Sequence, residues 1–168
     1  VELVLVCHAH PELQSEVTRR GDPGPSATGT AAAEAVASRL RHDRWDALYT
    51  APLRETLETA AIVASRLGLE ARAAPALAER GNGGETTAAI ETIIAAHPGQ
   101  RVLVVTSGRV INGFVSGFLG SAKPVLRRPD RTGVTGVLAG RSGRRELVCL
   151  NDSTHLRLPW RAPVTKEL

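Results

Sequence analysis

The sequence predicts an α/β three-layer sandwich with a mostly parallel central sheet. Two observations carry that expectation: strand-like and helix-like segments alternate along the chain, and the runs VELVLV and RVLVVT are continuously apolar and rich in β-branched residues, as buried strands are. VELVLV (1–6) opens the chain. After the Gly/Pro-rich loop RRGDPGPSATG comes an Ala-rich helical stretch from Thr30 to His42, with Ser26 placed to cap its start. ALYT (47–50) reads as a short strand, and PLRETLETAAIVASRLG (52–68) has apolar residues at helical spacing with Gly68 as its stop. EARAAPAL carries a third strand. GGETTAAIETIIAAHPG is a helix ended by Pro98 and Gly99, RVLVVTSG (101–108) is the second clear buried strand, and VINGFVSGFLG (110–120) continues as a helix. TGVTGVLAG and RELVCLND, joined by RSGRR, form a hairpin by pattern. No linker, repeat or low-complexity segment divides the chain, so one domain over 1–168 is expected.

Composition narrows the function classes. A chain of 168 residues, 42% of them hydrophobic, has enough material for a single core. Two cysteines, Cys7 and Cys149, are too few for a disulfide framework, and neither a signal-like stretch nor a long apolar span is present. A soluble cytoplasmic protein with no membrane partner is therefore expected. The net charge of +4 invites a nucleic-acid reading, but the arginines are scattered among carboxylates and aromatics make up only 3%, so no nucleic-acid partner is expected. The clusters RRPDR (127–131) and RSGRR (141–145) read as solvated loop charge. No Gly-rich loop has Walker or dinucleotide spacing, so no cofactor is implied.

In open α/β sheets ligands sit at the carboxyl ends of strands. Two unusual peptides fall there: CHAH after the first strand and TSGR after the fourth. Cys7, His8 and His10, with His155 more distant, are borderline-to-soft metal ligands, but strand alternation sends Cys7 and His8 to opposite faces and leaves only His8 and His10 on one. No metal site is assigned. Cys7 reads as a small buried hydrophobe, and His42 and His97 as surface residues at helix ends.

LVLVCHAH, then DPGPSATG (22–29), LYTAPLRETLETA, VLVVTSGRVI and LNDSTHL together resemble, in order and spacing, the histidine phosphatase superfamily, which includes the phosphoglycerate mutases. The resemblance implies a phosphoglycerate mutase-like fold, commonly dimeric. It also implies a pocket in which one His attacks phosphorus, a second His and two Arg hold the phosphoryl oxygens, and a Glu protonates the leaving oxygen. His8 falls on the nucleophile and Glu79 of ALAERG on the acid. Three positions depart: Cys7 stands at the first Arg, Glu55 at the second Arg, and Ser107 at the second His. Since phosphoryl transfer relies on concentrated positive charge, these changes imply a degenerate pocket. The segment that covers substrate in the family is also shortened at ALAERGNGGETT. His155 is already present in the family's NDTAHL-like ending, so its bland explanation is structural.

The expected catalytic residues are His8 and Glu79, with Cys7, His10, Glu55, Ser107, Arg109 and His155 as candidate binding residues around a small-molecule ligand at the strand ends. The first reading is a pseudoenzyme, or a pocket turned to acid/base chemistry on an uncharged or cationic molecule, with Glu55 raising the pKa of His8. Two alternatives stay open. One is a weak phosphomonoesterase in which Arg109, beside the backbone N–H groups of Ser107 and Gly108, replaces the lost clamp; the other is a non-enzymatic binding module. Arg54 is expected to pair with Glu58 at i+4 on an exposed helix face.

Overall fold

In the computed structural model, residues 1–12, 22–78 and 84–157 are described. Six strands form one sheet: β1 (Glu2–Cys7), β2 (Ala47–Thr50), β3 (Ala71–Ala73), β4 (Arg101–Thr106), β5 (Val134–Ala139) and β6 (Arg145–Asp152). Their order is β3-β2-β4-β1-β5-β6. The first four in that order pair in parallel, whereas β5 runs antiparallel to β1 and β6 antiparallel to β5, so the hairpin read from the sequence closes one side of a parallel sheet.

Strand alternation divides the core into two layers. Leu3, Leu5 and Cys7 of β1, with Val102 and Val104 of β4, face α3 (Gly84–Ala96) and α4 (Gly108–Phe118), where Ile90, Ile93, Ile111 and Phe114 meet them. Val4, Val6, Leu103 and Val105 face α1 (Ala27–Leu40) and α2 (Arg54–Leu67), where they meet Val36, Leu40, Ala60 and Val63. The expected sandwich and all four helices are present, with the first helix starting three residues earlier than its apolar pattern implies because Ser26 caps it through the Gly29 N–H. Gly68 ends α2 at φ 67°, a left-handed conformation that glycine adopts without steric cost.

This topology creates the crevice. β1 and β4 are neighbours, yet β1 leads to α1 on one face and β4 leads to α4 on the other. The chain therefore parts beyond Cys7 and Thr106, which lie side by side in the register. No helix among the described residues is long and apolar enough to cross a membrane. His97, expected at the surface, is buried instead: its Nε2 meets the Tyr49 hydroxyl at 2.9 Å and its Nδ1 meets Gln100 Oε1 at 2.5 Å, so polar partners replace the water it loses.

Candidate active site

The site grows from backbone hydrogen bonds at the tip of β1. The Cys7 N–H donates to Gly133 O and the His8 N–H to Thr106 O, so β4 and the start of β5 hold His8 between them. The Ala9 N–H donates to Thr59 Oγ1 of α2 at 3.0 Å, which turns the chain away from the sheet. His8 is left 3% exposed at the floor of the crevice.

The two ring nitrogens of His8 have different surroundings. Nδ1 lies 2.9 Å from Ala9 O and 3.2 Å from Glu55 Oε2, with Arg131 Nη1 farther off at 3.3 Å. The two nearer partners are acceptors, which places the proton on Nδ1 and leaves Nε2 its lone pair. The same Nη1 makes its closer contact with Nε2. Burial, followed by the Arg131 charge, holds the imidazole down at a pKa of about 4, against the Ala9 carbonyl that favours the cation. The expected upward shift from Glu55 is overturned: the carboxylate is beside the ring, but desolvation and a fixed guanidinium outweigh it. His8 is neutral at pH 7.

Cys7 is fully buried, and burial pushes its thiol up to about 11 even though Arg131 and the Gly108 N–H favour the thiolate. A protonated thiol is neither a good nucleophile nor a ready metal ligand. Among the described residues no group of three or more His, Cys, Asp or Glu side chains comes together to hold a metal.

The remaining sequence-predicted residues divide into those at the ring and those around it. Glu55, in the first turn of α2, reaches His8. Ser107 is the N-cap of α4 and accepts from the Val110 N–H at 3.3 Å. His10 is exposed, with Nδ1 2.8 Å from Pro11 O. Arg109 is exposed on the first turn of α4. His155 contacts the site indirectly: its Nε2 meets Thr132 Oγ1 at 2.9 Å, and burial lowers its pKa. Glu79 lies outside the described residues. Arg54 pairs with Glu58 at 2.6 Å on the exposed face, as its spacing implies.

Arg131 is the residue that sequence reasoning missed. RRPDR was read as solvated loop charge, yet Arg131 is half-buried against His8 and Cys7, and that expectation is corrected here. The signal was present in pattern: Pro129-Asp130 followed by Gly133 marks a turn, and the strand after it returns alongside β1, which brings the turn to the Cys7 end.

Comparison with known proteins shows the family and the fold. The family model described as histidine phosphatase superfamily (branch 1) matches residues 3–87 and 84–153. The chain belongs to the histidine phosphatase superfamily. Among solved structures, YhfR of Bacillus stearothermophilus superposes with a TM-score of 0.81 at 20% identity, covering 93% of this chain and 99% of that one. A phosphoserine phosphatase from Entamoeba histolytica, in complex with 3-phosphoglyceric acid, gives 0.77 at 17% identity over 93% and 99%. The protein histidine phosphatase SixA, complexed with tungstate, gives 0.76 at 17% over 94% and 100%. At these identities the likeness is one of fold. No match was found among curated protein sequences. In this member a guanidinium reaches the His8 ring from the turn before β5.

Proposed function

We propose that this chain is a slow phosphomonoesterase in which His8 is the nucleophile. One observation carries the reading: His8 is neutral, its proton is held on Nδ1 by Ala9 O, and a guanidinium stands beside its Nε2. A histidine attacks phosphorus only when its second nitrogen is oriented and a cation is at hand for the phosphoryl oxygens. In the proposed reaction Nε2 forms a bond to phosphorus as the P–O bond to the leaving group breaks. The departing oxygen takes a proton, in a role proposed for Glu79, and water then cleaves the phosphohistidine to inorganic phosphate. The superfamily neighbours described as a phosphoserine phosphatase with bound 3-phosphoglyceric acid and as a tungstate complex support an oxyanion as guest. Turnover is expected to be slow because Glu55 adds negative charge where the family pattern has an arginine.

Hydrolysis of a generic aryl phosphate by wild type and His8→Ala, with vanadate titrated in, tests the proposal. Activity that vanishes with His8 and is blocked by vanadate supports it; activity unchanged in His8→Ala refutes it. Glu55 favours a second reading, since a carboxylate beside a neutral imidazole suits proton transfer on an uncharged or cationic molecule by His8 and Glu79. That reading predicts a pocket that binds neither phosphate nor vanadate.

A further inference from the structure

We infer that Arg131 is the oxyanion-binding residue of this pocket, supplying from the turn before β5 the guanidinium that the family pattern places at the position of Cys7. The inference deepens the phosphomonoesterase reading but rests on its own geometry. Cys7 is the smaller side chain, buried at the end of β1, and Arg131 extends to both the Cys7 thiol and His8 Nε2. The cation thus reaches the nucleophile by a different route through the fold, from a residue 123 positions along the sequence.

The turn that delivers Arg131 is held by five contacts. Pro129 packs on Gly108, where an added Cβ would lie 2.9 Å from the proline ring, so glycine at the start of α4 admits the turn over the helix N-terminus. The Asp130 N–H donates to Asn151 Oδ1 at 2.7 Å, and the Asp130 carboxylate accepts from Ser153 at 2.9 Å. The Thr132 N–H donates to Cys7 O at 3.0 Å, and its hydroxyl meets His155 Nε2. Thr132 is fully buried at φ 58°, a left-handed conformation that β-branched residues rarely adopt. Such strain persists only where the surroundings over-determine it, and it clusters at functional sites. The left-handed residue directly follows Arg131, at the point where the guanidinium leaves the turn for His8.

The guanidinium has a dual consequence for binding. The guanidinium that would hold a phosphoryl oxygen sits against Nε2, so an oxyanion must draw Arg131 away from the ring before Nε2 can attack. Ligand recognition and release of the nucleophile become one event. Among the described residues, the titratable groups around His8 are Cys7 of the same strand end, His10, Glu55 of α2 and Arg131 itself.

The test compares wild type, Arg131→Ala, Arg131→Lys, Arg109→Ala and, as a remote control, Arg144→Ala, in the full chain. Inorganic phosphate and vanadate binding are measured by calorimetry and phosphorus NMR, and the His8 ring is titrated by heteronuclear NMR, which also reports whether each variant folds. Arg131→Ala is expected to weaken phosphate at least about tenfold, the scale of a lost charge-assisted hydrogen bond, and to raise the His8 titration midpoint. Arg131→Lys is expected to keep the low midpoint and recover part of the binding, because it retains charge without the planar fork. The inference is overturned if folded Arg131→Ala binds phosphate within about twofold of wild type, if Arg109→Ala alone abolishes binding, or if wild type binds neither anion. Wild type that binds phosphate through Arg131 but hydrolyses no aryl phosphate would retire the phosphatase proposal and leave this inference standing.

Discussion

Neutralising Glu55 removes a carboxylate that opposes an anion beside His8. Its Oε2 lies 3.2 Å from His8 Nδ1 and the side chain is only 18% exposed, so solvent shields it weakly. A phosphoryl oxygen at Nε2, across the ring, sits roughly 6 Å from that carboxylate, and at an effective dielectric of about 20 the repulsion is about 3 kcal/mol per unit of ligand charge. That energy is equivalent to roughly a hundredfold in affinity. Glu55→Gln preserves shape and leaves Ala9 O as the acceptor for Nδ1–H. The variant is therefore expected to bind phosphate and vanadate tenfold to a hundredfold more tightly, about 1.4 to 3 kcal/mol, with the larger gain at low ionic strength. Titration by phosphorus NMR, alongside inhibition of aryl phosphate hydrolysis, provides the measurement. An affinity that is unchanged or weaker would refute the argument, because the anion would then not be bound on the side of the ring where Glu55 acts.

Three further outcomes follow from the geometry. The native His8 ring titrates near pH 4 and an unfolded one near 6.5, so between those values the unfolded chain binds the extra proton. Stability should fall as pH drops from 6.5 to 4, by roughly 3 kcal/mol in all, with Tm against pH flattened in His8→Asn. Cys7, fully buried with its thiol near 11, should resist a disulfide reagent in native protein at pH 8 while half-buried Cys149 reacts first; two thiols reacting at one rate without denaturant would contradict the packing. Gly29→Ala would drive a Cβ into the His10 carbonyl oxygen and should cost about 1–3 kcal/mol. Gly113→Ala, on an open face of α4, should be neutral or stabilising by up to about 1 kcal/mol, and equal Tm shifts in the two glycine variants would argue against the docking of α1 on the loop after β1.

The elements were legible because their causes are local. Apolar runs, helical spacing, Ser26 as a cap and Gly68 as a stop all act within a few residues, and each produces the structure it predicts. The position of His8 was legible for the same reason, at the end of a buried strand beside the end of another. Arg131 was not, since its place depends on the antiparallel return of β5 beside β1 and on a left-handed threonine that no propensity favours. His97 was misread because its burial depends on Tyr49, 48 residues away, which composition at a helix end does not reveal. The direction of the His8 shift escaped for a related reason: Glu55 is a neighbour by family pattern, while the opposing guanidinium is a neighbour only in three dimensions.

The backbone bonds around His8 have a consequence for how such a site changes over time. Thr106 O, Gly133 O and Ala9 O fix the strand tip and the ring tautomer, and main-chain carbonyls are present whatever side chains replace their neighbours. Charge, by contrast, comes entirely from side chains and can be exchanged one residue at a time. The fold therefore separates what the main chain fixes from what side chains adjust: the His8 ring keeps its pose whichever charges stand around it, and those charges can be exchanged from any loop that opens on the same crevice.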